Sequence, residues 1–249
     1  MDHSHIRSNS VFANASVGWK NQLYVDLSAR NDWSSTIKDA FFYPSVSLSW
    51  IATESLPWLK GDGSVLSFLK LRAGWAEIGN ATSAYRNRAY YQLYTTGSFN
   101  GVSQIYKSTV YPNENLKPES IKSWEIGAEF GFLHDRLHFD FAYYKKNTSN
   151  QILNVTTPYS SGYSSMLINA GEIENKGVEI QLSGDILQNK NGLNWTSTFN
   201  FSKDNSKVIE LYPEMGLNTY GIGWTWGVAT QAIEGEKWGA LVGTGFDRI

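Results

Sequence analysis

The sequence predicts an all-β fold, an antiparallel transmembrane β-barrel segment with short turns at one end of its strands and long loops at the other. Three observations carry that reading. The first is alternation, clearest from Tyr111 to Leu153, which reads as a hairpin of two long strands. From Lys122 to Phe132 the even positions Trp124, Ile126, Ala128, Phe130 and Phe132 are apolar, while Ser123, Glu125, Gly127, Glu129 and Gly131 are polar or small. The return strand sets Leu137, Phe139, Phe141 and Tyr143 against His138, Asp140, Ala142 and Tyr144. Successive strand side chains point to opposite faces, so this hairpin is greasy on one side and polar on the other. The second is length: each strand runs to roughly 10 residues, against about 5–6 for an ordinary strand and about 9–11 for a tilted bilayer crossing. The third is composition. Aromatics make up 14% of the chain, with 10 Trp and 14 Tyr, at a mean hydropathy of −0.34. That combination suits a sheet with an aromatic girdle at each membrane interface better than a soluble core.

The bulk numbers exclude other classes. The chain has 249 residues and a net charge of −2, so no polyanion-binding field exists and nucleic acid is not expected as a partner. With 0 Cys there is no disulfide framework, thiolate metal site or cysteine nucleophile. No apolar run approaches the ~18 residues of a membrane helix. The start MDHSHIRSNS is polar and carries no apolar signal segment.

In chain order, Val11–Lys20 alternates Val11, Ala13, Ala15, Val17 and Trp19 with polar or small partners, and Lys20–Gln22 turns. Leu23–Arg30 returns, followed by a polar loop Asn31–Ala40 that holds Trp33. The next strand sets Pro44, Val46, Leu48, Trp50 and Ala52 against Ser45, Ser47 and Ser49, small residues suited to a crowded or wet interior. Thr53–Ser67 is a connection broken by Pro57, Gly61 and Gly63. Phe68–Trp75 carries Lys70 and Arg72 on its polar face; charge is costly in lipid, so that face should look into a lumen. Glu77–Val110 reads as a long loop, with a strand Arg88–Thr95 rising into it, and Asn154–Gly171 as another. Glu174–Gly184 and Leu193–Phe201 alternate again around a turn at Gln188–Gly192. Ser202–Gln231 reads as an aromatic loop with Tyr212, Tyr220, Trp224 and Trp226, and a last strand begins near Lys237. The total is roughly nine or ten strands, and in lipid such a sheet has to close on itself.

Several phrases carry a family resemblance. Asn113-Glu114-Asn115-Leu116-Lys117-Pro118-Glu119, followed by Ser123-Trp124-Glu125-Ile126-Gly127, resembles the NPNLKPE…SWEIG signature of TonB-dependent outer-membrane receptors, departing at Glu114, where proline is usual. Arg30-Asn31-Asp32-Trp33-Ser34-Ser35, Tyr43-Pro44-Ser45-Val46-Ser47-Leu48-Ser49-Trp50, Leu69-Lys70-Leu71-Arg72 with Gly79-Asn80, and Glu174-Asn175-Lys176-Gly177-Val178-Glu179 resemble stretches of the SusC/RagA branch, in family order. The resemblance implies a bacterial outer-membrane barrel, set in lipid, that imports oligosaccharide or oligopeptide cargo. It implies a SusD-like lipoprotein partner and energy from TonB, with no cofactor. On this reading residues 1–249 are one partial barrel domain, truncated at both ends, with signal peptide, TonB box and plug lying elsewhere.

Candidate cargo contacts are the loop aromatics, because sugar rings stack on Trp and Tyr faces and Tyr adds a hydroxyl. They are Trp33, Tyr85, Tyr90, Tyr91, Tyr159, Tyr163, Trp224 and Trp226. The Asn113–Glu119 motif, with Pro118 holding its neighbour extended, is read as a turn that sets the following strand rather than as a cargo contact. Lys70, Arg72, Glu125, Glu129 and Asp140 are expected to form a lumenal ladder of opposite charges. His3, His5, His134 and His138 lack the clustered carboxylates of a metal site. No convergent catalytic set is present, so the chain is not expected to be an enzyme. Two rival readings remain at this point: a soluble extracellular β-sandwich binding carbohydrate, and a β-rich carbohydrate-active enzyme. The apolar face of Lys122–Phe132 discriminates, since a sandwich would cover it with a second sheet.

Overall fold

The structure, a computed structural model, describes residues 5–61, 64–211, 216, 218–243 and 245, and for residues 94–99 the backbone alone. In chain order the strands are β1 (Ser8–Trp19), β2 (Leu23–Ser34), β3 (Phe41–Ile51), β4 (Leu66–Asn80), β5 (Tyr91–Phe99), β6 (Val102–Lys107), β7 (Val110–Tyr111), β8 (Glu119–Phe132), β9 (Leu137–Ser149), β10 (Ile152–Thr156), β11 (Ser165–Asn169), β12 (Glu172–Leu187), β13 (Trp195–Glu210), β14 (Thr219–Thr225), β15 (Val228–Ile233) and β16 (Ala240–Gly243). A single helical turn, α1 (Ala52–Ser55), and a 3-10 turn at Pro57–Lys60 link β3 to β4. Among the described residues no helix is long and apolar enough to cross a membrane.

One 8-stranded antiparallel sheet forms a wall in the order β1-β2-β3-β4-β8-β9-β12-β13. Its cross-strand pairing lines the alternating residues of every strand into rows. One row reads Trp19, Leu23, Trp50, Leu71, Ala128, Phe141, Ile180, Phe201 across all eight strands. A neighbouring row on the other face reads Gly18, Tyr24, Ser49, Arg72, Gly127, Ala142, Glu179, Ser202. The wall thus has a continuous apolar face and a continuous polar face. Trp124 and Ile126 on the apolar face are 39% and 50% exposed, and among the described residues no second sheet covers them. That removes the β-sandwich reading, because its core requires a second layer.

The wall strands run 11 to 16 residues, longer than the sequence pattern indicates. The Asn31–Ala40 loop is shorter than expected, since β2 continues to Ser34 and β3 starts at Phe41. The strand expected at Phe68–Trp75 reaches Asn80, and the one expected to end at Phe201 reaches Glu210. The physical reason is common to these cases. Past the bilayer both faces of a strand meet polar surroundings, so hydrophobic alternation stops while the hydrogen-bond ladder continues. The expected strand Arg88–Thr95 is displaced to β5 and pairs with β6, which the sequence pattern leaves within a loop.

The β1–β2, β8–β9 and β12–β13 turns fall at one end of the wall, together with the longer β3–β4 link. Lys20 and Asn21 both take positive φ, 51° and 55°, the two-residue geometry that matches strand twist. Leu133, His134 and Asp135 do likewise at the β8–β9 turn. The opposite end carries the long insertions, and these are folded. One holds the β5–β6 hairpin and β7; another holds β10 and β11, which join β7 in a 3-stranded sheet. The segment read as the loop Ser202–Gln231 instead contains the end of β13 and the β14–β15 hairpin, and β16 completes a third sheet. A core of Leu153, Val155, Ala170, Val208, Leu211 and Ala232, with Met166, Ile168, Tyr220 and Trp238 against it, binds these sheets to the upper end of β13. Burial is therefore concentrated in the insertions, while the wall is two-faced.

Candidate functional site

A depression of about 600 Å³ in the wall is lined by Ser45, Ser47, Ser49, Arg72, Glu125 and Tyr144 of the polar positions, together with Leu48, Trp75 and Trp124 of the alternate ones. Its electrostatics are organised by side chains that reach over a strand. Arg72 on β4 crosses β8 and donates from both terminal nitrogens to Asp140 on β9, at 2.8 Å each. Its Nε also points to Glu125 Oε1 at 3.4 Å. Lys70 lies 3.5 Å from Glu129. These are the charges expected as a lumenal ladder, and the structure brings all five together.

Glycine makes the crossing possible. Gly127 sits beneath the Arg72 guanidinium: a Cβ there would lie 2.7 Å from Arg72 Nε and 2.9 Å from the Phe141 carbonyl oxygen. The device is repeated two strands on. Tyr144 on β9 reaches over Gly177 on β12 and donates to Asp204 Oδ1 on β13 at 3.1 Å. A Cβ at Gly177 would lie 2.6 Å from the Tyr144 hydroxyl. The glycines of the SWEIG and ENKG phrases are thus gaps through which lumenal side chains pass. Tyr144 and Asp204 are not evident as a pair in the sequence, since only the three-dimensional register places them around Gly177.

The Asn113–Glu119 motif fastens one insertion to another. Asn113 Nδ2 donates to the Leu167 carbonyl at 2.8 Å, and its Oδ1 accepts from the Asn115 amide at 3.0 Å. Asn169 Oδ1 accepts from the Lys117 amide, and Asn169 Nδ2 donates to the carbonyls of Lys117 and Asn150. Leu116 is 1% exposed. Glu119 opens β8, and its two carboxylate oxygens accept from the Ile152 amide and Asn80 Nδ2. Pro118 lies between the fastened Lys117 and the strand. The motif residues Trp124, Glu125 and Gly127 continue into the wall. Asn169 carries no sequence signal of this role.

The candidate aromatics separate by position. Trp33 lies on β2, because that strand outlasts its hydrophobic pattern, and alternation puts it on the side of Leu27 and Val25, away from the lumen. Tyr85 and Tyr90 pack together at 5.9 Å, and Tyr85 Oη accepts from the His5 amide. Tyr91 starts β5 and is exposed. Tyr163 is held edge-on against Tyr111 at 5.0 Å, with Lys107 Nζ 4.2 Å above its ring. Tyr111 and Lys107 are contacts the sequence reading omits. Tyr159 is exposed on a 3-10 turn. Trp224 and Trp226 occupy the tip of the β14–β15 hairpin, where Trp226 is 93% exposed with φ 51°. Tyr212 and His3 lie outside the described residues. Among the described residues no group of three or more His, Cys, Asp or Glu side chains could hold a metal.

This wall has known relatives. The family described as TonB dependent receptor-like, beta-barrel matches residues 1–248. A TonB-dependent receptor of Formosa agariphila is 31% identical over 84% of this chain and 21% of its own length. The TonB-dependent receptor SusC of Bacteroides thetaiotaomicron is 30% identical over 68% of this chain and 17% of its own. Among solved structures, the RagAB peptide transporter superposes with a TM-score of 0.79 at 26% identity, over 93% of this chain and 25% of that one. The chain thus spans about a fifth of the length of the curated relatives it matches. Family profile, wall architecture and motif order agree: the chain belongs to the TonB-dependent receptor β-barrel family of the bacterial outer membrane, on its SusC/RagA side.

Proposed function

We propose that this chain forms part of the wall and outer insertions of a TonB-energised transporter that imports oligosaccharides or oligopeptides together with a SusD-like lipoprotein. The observation that carries it is the arrangement of the two ends of the polar face. A hydrogen-bonding, charged lumenal wall leads up to folded insertions that present Tyr91, Tyr159, Tyr163, Trp224 and Trp226. Stacking platforms above a polar passage suit an extended, hydrophilic cargo, which needs both flat faces and hydrogen-bond partners. The similarity to SusC and to the RagAB peptide transporter supports the same reading. The family is one of transport proteins, so no reaction is assigned to the chain.

The test is uptake. Cells carrying the full-length receptor are grown on defined oligosaccharide or oligopeptide mixtures, with and without the Tyr163→Ala and Trp226→Ala changes. Deletion of the receptor should abolish growth on one class, and each aromatic change should weaken cargo binding by about 1–3 kcal/mol, the worth of a lost aromatic contact in a recognition site. Unchanged growth of the deletion strain on every oligomer of both classes would sink the reading.

A further inference from the structure

Two of the long-loop insertions differ from the rest of the chain in charge. Residues 81–118, between β4 and β8, carry Arg86, Arg88, Lys107 and Lys117 against Glu114 alone. Residues 150–171, between β9 and β12, carry no charged side chain. Together they hold a charge of +3 in a chain whose net charge is −2, so the positive excess is local to these segments. The third insertion is acidic, with Glu234 and Glu236 against Lys237, and with Glu214 outside the described residues. Glu234 and Glu236 lie at the base of that insertion, where the Glu236 carbonyl accepts from the Val208 amide of β13. Among the described residues no carboxylate forms an ion pair with Arg86, Arg88 or Lys107.

Lys107 is the best placed of these cations. It ends β6 and stands directly opposite Tyr91 of β5, so both side chains leave the same face of the hairpin. Its Nζ lies 4.2 Å from the Tyr163 ring centroid, and Tyr163 meets Tyr111 edge-on at 5.0 Å. The chain after Lys107 is fixed against the other insertion. The Thr109 carbonyl accepts from the Ser164 amide at 2.8 Å and from Ser164 Oγ at 3.2 Å. Val110 and Tyr111 then pair with Ser165 and Met166. One exposed ammonium thus stands among three tyrosines, in a place set by backbone bonds between two insertions.

That arrangement selects a class of ligand. A ring face attracts an ammonium without neutralising it, so the cation keeps its demand for an anion. A carboxylate meets the demand with a charge-assisted hydrogen bond, and it is the anion that oligosaccharides and oligopeptides can both carry. The Tyr faces stack on whatever adjoins it. We propose that Lys107, with Tyr91, Tyr111 and Tyr163, recognises a carboxylate on the cargo, and that Arg86 and Arg88 add to the field that draws the carboxylate in. The carboxylate belongs to a uronate sugar or to a peptide's acidic side chain or C-terminus. The inference rests on the cargo reading and narrows it from hydrophilic oligomers to acidic ones.

The experiment offers the purified full-length receptor, in neutral detergent, a pool of uronate-containing oligosaccharides and a pool of acidic oligopeptides. Each pool is supplied as it is and with its carboxyls removed, by reduction for the sugars and by amidation for the peptides. Native mass spectrometry identifies the bound species, and calorimetry measures their affinity. Acidic species should bind about tenfold more tightly than their converted forms, with a preference that shrinks as salt rises. Lys107→Gln, at an exposed side chain, should bring the two forms to equal affinity, and Lys107→Arg should keep the preference. The sugar and peptide arms distinguish the two sources of the carboxylate. Equal affinity of acidic and converted forms in the unmodified receptor, or a preference that survives Lys107→Gln, would overturn the site while leaving the cargo reading in place. Loss of the preference in Lys107→Arg as well would overturn charge as its basis. Binding of no oligomer from either pool, converted or not, would overturn the cargo reading and the site with it.

Discussion

At the residue scale, two glycines explain more of the lumenal face than its charges do. Gly127 and Gly177 let Arg72 and Tyr144 reach acids two strands away. Gly127→Val should push the guanidinium off Asp140 and destabilise the receptor by about 1–3 kcal/mol, as overpacking does. Melting of the full-length protein in detergent measures this. Arg72→Lys keeps the charge but loses the paired geometry at Asp140, since an ammonium cannot donate in a planar fork. With both partners about a third exposed, its cost should stay near 1 kcal/mol. A larger loss for Arg72→Lys than for Gly127→Val would refute the view that the glycine gap is the critical feature. The charges themselves were legible in the sequence, because Lys70 and Arg72 on an alternating strand demand a wet face. Their pairing was not, because it depends on which strands neighbour one another across the Glu77–Val110 insertion.

At the element scale, the long insertions are held by specific fastenings rather than left as free loops. Asn169 alone satisfies one amide and two carbonyls, so Asn169→Ala would leave three backbone groups without their partner. A cost of about 1–3 kcal/mol is expected, with faster amide exchange in β7, β10 and β11 and little change in β8 and β9. Leu116→Ala, at a side chain with 1% exposure, should cost about 2–5 kcal/mol and loosen the same segments. Uniform exchange throughout the chain in either variant would show that the motif does not act on the insertions. The wall strands were legible from alternation within the bilayer. Their outer ends, such as Asn31–Ser34 and Ser202–Glu210, were not, because water on both sides erases the contrast between faces. The small sheets were hidden for the same reason, and Trp33 was misread as a loop residue along with its strand.

At the scale of the whole molecule, the sheet is open: among the described residues β1 and β13 each present a strand edge without a partner in the wall. An unpaired edge is costly in hydrocarbon and prone to association in water. The 249-residue chain expressed alone should therefore aggregate or remain protease-sensitive in detergent. Heat-modifiable, protease-resistant migration as a monomer would contradict this. The membrane reading followed from strand length and aromatic content, but its outer boundary is visible only when the rows of several strands are lined up. Lys145 and Lys176 look unrelated in sequence and share one row with Trp124 in the wall.

The glycine gaps bear on how such a wall is assembled without error. A strand that slips by one residue exposes its mistake at once, because every side chain changes face. A slip of two residues keeps all the apolar groups on the lipid side and is invisible to alternation. On β8 such a slip would place Glu125 or Glu129 under Arg72 instead of Gly127, and on β12 it would place Asn175 or Glu179 under Tyr144 instead of Gly177. Either substitute fills the gap and shuts off the crossing to Asp140 or Asp204. The two-residue slip that the hydrophobic pattern tolerates is therefore disfavoured at both Arg72 and Tyr144.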